Sequence, residues 1–171
     1  RIAELLRSAG IRAERVEEGG LDHGAWTALR YVYPRADLPI VPLAFVPSDP
    51  PAAQFALGEA IAPLAREGVL VIGSGSITHN LRRLFVHGLR PPADQPEAAD
   101  NAEFRHWMAA RSSARDWDAL FAYRQRAPHA VEMHPTDEHL LPWFVAAGVG
   151  GRTAPPVRIH DGATMGSLGM D

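Results

Sequence analysis

The chain has 171 residues, of which 46% are hydrophobic and 22% charged, with a formal net charge of −3 and no cysteine. This length fits one domain over 1–171. The small negative net charge gives no indication of a basic surface that would bind nucleic acid or an anionic membrane. No apolar run reaches the ~18 residues of a transmembrane helix. The absence of cysteine excludes disulfides, thiolate nucleophiles and sulfur-ligated metals, so His, Asp or Glu must hold any metal. It also fits a cytoplasmic location.

Apolar spacing and Pro and Gly breakers divide the chain into short elements. The proline-rich stretch 90–99 is predicted to be a loop. The predicted elements, in chain order, are a helix over 2–8, an extended stretch over 11–16, a helix over 25–33, a strand over 39–46, a helix from about 51 to 66, a strand over 68–72, a helix over 78–85, helices over 102–112 and 114–124, a turn near 131, a helix over 137–147, and a closing hairpin of 157–159 and 164–170 with Asp161-Gly162 at its turn.

The stretch Gly68–Ile72 is the clearest strand signal. It is continuously apolar and β-branched, as is typical of strands buried on both faces of a parallel sheet. It leads into a turn at Gly73–Ser76 and then a predicted helix, which is the pattern of a layered α/β fold. Ligands of such folds bind beyond the carboxyl ends of the strands. His79 is predicted to lie there.

Three polar, turn-rich segments carry histidine: Gly20–Trp26, Gly73–Asn80 and His134–His139. Imidazole is the commonest metal ligand and titrates near neutrality. Each segment also has an ordinary structural interpretation. His23 fits a solvated side chain in an Asx-turn before a helix, with Trp26 as an aromatic wall if the site is functional. His79 fits a tight turn with a capping Ser or Thr, and His139 fits the first turn of a helix capped by Thr136.

Several familiar motifs are absent. The turn at Gly73–Ser76 lacks the Gly-Lys-Ser/Thr ending of a P-loop, and Thr78 stands where a dinucleotide fingerprint has its third glycine. The third segment is not His-Glu-x-x-His, and no Gly-x-Ser-x-Gly elbow is present. The remaining histidines are assigned to surface or core (His87, His106, His129, His160). Three tryptophans are predicted to pack in the core (Trp107, Trp117, Trp143).

Taken in order, the three segments resemble the type III extradiol ring-cleavage dioxygenases, specifically the DOPA 4,5-dioxygenase-like branch. The resemblance extends to Tyr33–Pro39 and Leu64–Val69 and covers roughly residues 15–170. It implies a three-layer α/β/α sandwich with a central, mostly parallel sheet, of which this chain is the C-terminal two-thirds. The single catalytic domain is therefore expected to be incomplete at its N-terminus and slightly so at its C-terminus.

The resemblance also implies a site and a reaction. A mononuclear non-haem metal, Fe(II) with Zn(II) possible in the same site, acts with O2 on a catechol-type aromatic, a small diol cleaved beside its hydroxyls. His139 is implied as a metal ligand. His79 is implied either as the catalytic acid/base or as an additional metal ligand, and His23 as a catalytic-site residue facing the substrate. Such iron sites keep positions open for substrate and O2, with about three protein ligands.

This chain departs from the family at its start, because no histidine precedes His23 and the family has two metal-binding histidines there. We therefore expect the chain alone to bind iron weakly or not at all. A zinc-dependent hydrolase and a non-enzymatic binding module on the same fold are the alternatives. The sequence does not predict the particular catechol or the oligomeric state.

Overall fold

The computed structural model of the chain describes residues 1–85 and 89–171, so His87 lies outside the described residues. Within those ranges no helix combines the length and apolarity needed to cross a membrane. The fold is mostly helical with one small hairpin. Its elements are α1 (Ile2–Ser8), α2 (His23–Val32), α3 (Pro51–Ile61), α4 (Pro63–Arg66), α5 (Leu81–Leu84), α6 (Ala99–Ala114), α7 (Trp117–Phe121), α8 (Tyr123–Arg126), α9 (Ala130–Met133), α10 (Leu141–Gly150), β1 (Ala163–Thr164) and β2 (Leu168–Gly169).

Local sequence signals explain where the first helices begin. Helix α2 starts at His23 rather than at residue 25, because the Asp22 carboxylate accepts a hydrogen bond from the Ala25 amide at 3.1 Å. Helix α3 begins with proline at its first position, as predicted. The predicted helix over 51–66 is divided at Ala62, where Pro63 begins α4.

Two hydrophobic clusters form the core. The smaller one joins α1, α3 and α4 to α10 through Leu6, Ile61, Leu64 and Val145. Trp107, Trp117 and Trp143 pack partly buried against the larger one, which confirms their predicted place in the core. The larger cluster consists of Phe55, Ile77, Phe104, Met108, Leu120, Tyr123, Ala130, Met133, Leu140, Leu141 and Phe144.

Helices α3 and α10 pack against each other through glycines. A Cβ added to Gly148 would overlap the carbonyl oxygen of Phe55, and one added to Gly58 would overlap the carbonyl oxygen of Val145. Only glycine permits backbones to approach this closely. The pairing of α3 with α10 therefore depends on the missing side chains at these two positions.

The strands predicted over 39–46 and 68–72 are not paired in the structure. The only sheet among the described residues is β1 with β2, and no backbone hydrogen bond there joins 39–45 to 69–73. Leu43 and Val71 nevertheless pack against the smaller cluster, whereas Leu70 and Ile72 are exposed. This is the alternation of a strand with one covered face. Apolar β-branched residues favour strands, but a strand also needs a hydrogen-bonded neighbour, and within 1–85 and 89–171 these segments have none.

The closing hairpin has a different turn from the predicted one. Ala163 pairs with Gly169 and Thr164 with Leu168, so the turn lies at 165–167 instead of Asp161-Gly162. Met165 and Gly166 both have positive φ, 55° and 70°, as in the turns that best join twisted strands. The Asp161-Gly162 dipeptide favours a tight turn, but in this structure the carboxylate of Asp161 pairs instead with a buried arginine.

That arginine, Arg105 of α6, fastens the hairpin region to the helices. Its side chain is 2% exposed and contacts three carboxylates, those of Glu97, Asp161 and Asp171, at 2.6 to 2.8 Å. Arg158 also pairs with Asp161 and Asp171. A buried guanidinium needs such partners, because an unpaired buried charge is strongly unfavourable.

Candidate active site

Two histidines singled out in the sequence, His79 and His139, face each other. Their ring centroids are 3.5 Å apart and their planes differ by 29°, so the imidazoles stack. Both residues are partly buried. The sequence predicts both residues inside helices. In the structure neither is helical, since His79 precedes α5 and His139 precedes α10. The pair lies where the turns before two helices meet.

Helix α5 begins later than the predicted residue 78 because Asn80 caps it. The Asn80 side-chain oxygen accepts a hydrogen bond from the Arg82 amide at 3.1 Å. A capping residue has non-helical backbone angles, so His79 just before it is held in the turn.

Helix α10 begins at Leu141 rather than at 137, because the preceding polar side chains have other partners. The Asp137 carboxylate accepts hydrogen bonds from the Tyr123 hydroxyl at 2.5 Å and from the Arg124 guanidinium. Thr136 does not cap the helix, and its hydroxyl donates to Glu138 at 2.9 Å. These contacts hold 135–140 as turns, with His139 partly exposed.

Backbone hydrogen bonds tie the two histidine-bearing turns together. The Ser76 amide donates to the His139 carbonyl at 2.9 Å, and the His79 amide donates to the Met133 carbonyl at 3.0 Å. The Asn80 side-chain amide donates to the Glu132 carbonyl at 2.6 Å. A Cβ on Gly75 would overlap the His139 carbonyl oxygen, so glycine is required here for the close approach of the two turns. This packing explains the glycine without a phosphate-binding role.

The hairpin holds the His79 turn from another side. The buried Thr78 hydroxyl donates to the Ser167 carbonyl at 3.2 Å and accepts from the Gly169 amide at 2.6 Å. The Ser76 hydroxyl lies 3.1 Å from the Gly169 carbonyl. Thr78, which broke the dinucleotide fingerprint, thus anchors the turn to β2.

His23 joins this region through the backbone of its helix. The Ser74 hydroxyl donates to the Gly24 carbonyl at 2.6 Å, which attaches the start of α2 to the turn leading to His79. The His23 side chain is exposed, and Trp26 beside it is 46% exposed. The structure brings His79 and His139 into contact, whereas it brings only the helix of His23 to the site.

The local environment favours a neutral His79. Burial lowers the pKa of His79, and the nearby His139 lowers it further, whereas the Glu138 carboxylate opposes both effects. Burial acts to raise the pKa of Glu138, but hydrogen bonds from its own amide and from Thr136 outweigh this and lower it. The site therefore places a neutral imidazole beside an ionised carboxylate at neutral pH.

A fourth histidine at the site, His134, received no role from its sequence. Its side chain is fully buried, and Nε2 lies 2.7 Å from the Ile77 carbonyl oxygen. Burial lowers the pKa of His134 to about 4, although the bond to Ile77 opposes the shift. The only sequence signal for His134 is its position within the ligand-dense third segment.

The imidazole nitrogens and carboxylate oxygens of this site are of the types that bind a borderline divalent metal. Their arrangement, however, does not form a complete metal site. Among residues 1–85 and 89–171, no group of three or more His, Asp or Glu is placed to hold a metal. These residues supply part of a ligand set at most.

Comparisons with known proteins find relatives over most of the chain. Residues 1–165 match the family described as the catalytic LigB subunit of aromatic ring-opening dioxygenase. The 4,5-DOPA dioxygenase extradiol of Beta vulgaris is 35% identical over 162 residues, covering 94% of this chain and 58% of that protein. The protein of the same name from Escherichia coli K12 is 32% identical, covering 99% and 61%.

A solved structure shares the fold. An uncharacterised protein of Escherichia coli K12 superimposes with a TM-score of 0.79 at 31% identity, over 99% of this chain and 68% of that one. This chain spans about 58 to 61% of the length of the curated relatives above. The match to the family over nearly the whole chain, together with relatives that carry the same name in a plant and a bacterium, establishes that this chain belongs to the LigB family of aromatic ring-opening dioxygenases.

Proposed function

We propose that this chain is the larger part of an extradiol ring-cleaving dioxygenase, which inserts both atoms of O2 into a small catechol-type aromatic beside its diol. The observation that carries the proposal is the stacked pair of His79 and His139, held by hydrogen bonds between two turns in a member of this family. The cysteine-free composition fits a cytoplasmic enzyme.

His79 is the proton-transferring group in this proposal. Its lowered pKa keeps the imidazole neutral near pH 7, so a ring nitrogen can accept a proton from a catechol hydroxyl and return it later. Glu138 stabilises the imidazolium that forms, because its carboxylate remains ionised. His23, attached through Gly24 to the Ser74 turn, faces the substrate.

The family implies a metal, and we propose Fe(II) with Zn(II) able to occupy the same site. His139 supplies one ligand from this chain, and a His79 ligand is the alternative to its acid/base role. The described residues contain no group of three or more side chains placed to hold a metal, so the remaining ligands of this site lie outside them.

For the fold, we propose that segments 39–46 and 68–72 are strands of a central sheet between helices in the complete protein. Their alternate residues support this, because Leu43 and Val71 pack inward whereas Leu70 and Ile72 face outward. The length of the relatives beyond the matched region is the second support.

The activity test uses the full-length gene product that contains this chain, loaded with Fe(II) without oxygen. On adding L-DOPA or catechol in air, we expect O2 uptake with a yellow ring-opened product. His79→Ala should lower turnover by ~10²–10⁴-fold, the usual effect of losing a general acid/base. The exposed histidine variant His160→Ala is the matched control and should retain turnover.

Two results would count against the proposal. If the iron-loaded protein consumes no O2 with either substrate, the dioxygenase assignment is wrong. If His79→Ala retains turnover, the acid/base role of His79 is wrong.

A further inference from the structure

The imidazole of His134 is more enclosed than those of His79 and His139, yet the proposed chemistry does not use it. Nε2 lies 2.7 Å from the Ile77 carbonyl oxygen. Because a carbonyl oxygen only accepts, Nε2 carries the proton. Nδ1 is buried with no hydrogen-bond partner among the described residues. His134 therefore makes one directed side-chain hydrogen bond, donated to the backbone two residues before His79.

We propose that His134 is a positioning residue for His79, which acts by holding the Ile77 peptide so that the His79 ring stacks on His139. This inference rests on the proposed function, in which His79 transfers the proton. It adds a residue that touches neither substrate nor reacting atoms and acts only through the turn.

The contacts on both sides of the bond support this role. The backbone of His134 is fixed, since its amide donates to the Ala130 carbonyl at 2.9 Å and its carbonyl accepts from Arg124 at 3.0 Å. The bond to Ile77 thus links a rigid support to the turn that carries His79. In a buried, low-dielectric setting such a bond is stronger than at the surface.

Space filling alone does not account for a histidine here. The ring packs among aromatic side chains, with centroids 5.7 Å from Phe104 and 6.4 Å from Tyr123. Phenylalanine would fill this apolar surrounding without burying an unpaired ring nitrogen, which is unfavourable. The feature that phenylalanine lacks is the donor, and that donor reaches the turn of His79.

The test compares three variants by NMR on the chain as it stands. His134→Phe keeps the packing and removes the donor. His134→Gln keeps a donor, because a glutamine side-chain nitrogen can occupy the place of Nε2. Ser112→Ala is the matched control, since it removes another buried hydrogen bond, from Ser112 to the Met108 carbonyl at 2.6 Å in α6.

The readouts are the nuclear Overhauser effects between the rings of His79 and His139 and the hydrogen exchange of the His79 amide. In His134→Phe we expect the inter-ring effects to be lost and the amide to exchange about tenfold faster. His134→Gln should restore both readouts, and Ser112→Ala should leave them unchanged. A general loss of stability would affect Ser112→Ala as well, so this pattern is specific to positioning.

Retained ring contacts and amide protection in a folded His134→Phe protein would overturn the proposal. If circular dichroism indicates that this variant is unfolded, His134→Asn replaces it, because its shorter amide cannot reach the Ile77 carbonyl. The NMR readouts do not involve catalysis. Absence of O2 uptake would therefore reject the proposed function and leave the positioning result to be decided separately.

Discussion

At the residue scale, the stacked imidazole of His139 affects the charge of His79. Burial lowers the pKa of His79, and the neighbouring His139 ring lowers it further, so the His79 imidazole is neutral at neutral pH. The Glu138 carboxylate, which lies 3.6 Å from His139 Nε2, opposes this lowering of the His79 pKa. The neutral His79 imidazole therefore lies close to an ionised carboxylate at neutral pH.

The buried His134 predicts that the fold loses stability in acid. Its pKa falls from 6.5 in the unfolded chain to about 4 in the folded one, because burial disfavours the charged ring. The stability that the neutral His134 ring contributes is therefore fully present above pH 6.5. It is lost as the pH drops through about 4, and the free energy of unfolding falls by roughly 3 kcal/mol in total. Urea unfolding between about pH 7 and pH 4 should measure this decline.

The His134→Phe variant is the comparison for this prediction. Asp100, whose pKa is lowered by its hydrogen bond from Arg83, and Glu138 remain in both proteins and give a common acid dependence. The variant should therefore lose less stability than the wild type over the same pH range. Equal losses in the two proteins would contradict the prediction.

At the scale of elements, the site depends on supports that are distant in sequence. The hairpin holds the His79 turn through Thr78, and Arg105 of α6 holds the hairpin region through Asp161 and Asp171. On the other side, α8 contributes Arg124, which contacts the turn before α10. The two histidines are thus placed by helices that carry no proposed catalytic group.

The crossing of α3 and α10 predicts a large difference between two glycines of one helix. Gly148→Ala should destabilise the fold by about 3 kcal/mol, because its Cβ would overlap the α3 backbone. Gly150→Ala is the matched control, since a Cβ there meets nothing within 4 Å. It should be neutral or slightly stabilising, by up to about 1 kcal/mol. Chemical denaturation of both variants measures the difference, and equal free energies of unfolding would refute the close packing.

At the scale of the whole molecule, two apolar segments leave one side uncovered. Val41 is 69% exposed, and Leu70 and Ile72 are 66% and 52% exposed, whereas their neighbours Leu43 and Val71 pack inward. Soluble domains rarely leave large apolar surfaces open. The segments that would form a sheet are also those that carry this surface.

This surface should bind a hydrophobic dye. We expect the chain to enhance the fluorescence of anilinonaphthalene sulfonate, and Leu70→Ser with Ile72→Ser to reduce the enhancement by roughly twofold. Both side chains point away from the core, so the melting temperature should change little. Val131→Ser, at an isolated exposed position on α9, is the control and should leave the fluorescence unchanged. No reduction in the double variant would indicate that these residues do not form the binding surface.

The elements that could be predicted were those with local signals. The helix over 2–8 and the start of α3 follow from apolar spacing and proline. The strands predicted over 39–46 and 68–72 are unpaired among the described residues, because pairing depends on a neighbour that apolar residues alone do not provide. The late start of α10 was missed because Asp137 is drawn to Tyr123 and Arg124, a contact with no local signature.

The candidate site likewise has one part that could be predicted from the sequence and another that could not. The resemblance singled out His79 and His139, and the structure places them in contact. Neither spacing nor resemblance predicted their stacking or the role of Thr78, because both depend on hydrogen bonds between segments far apart in the chain. The contact of His134 could not be predicted either, because its partner is a backbone carbonyl, which leaves no trace in side-chain patterns.

The glycines that allow backbones to touch also determine how this chain can evolve. Every missense change of a glycine codon adds at least one side-chain carbon. At Gly75 that carbon would fall on the His139 carbonyl, and at Gly58 or Gly148 on the facing helix. No single-base substitution that changes the amino acid at these codons is therefore sterically neutral. A lineage can alter them only together with the opposing backbone, so they should drift far more slowly than exposed glycines such as Gly150.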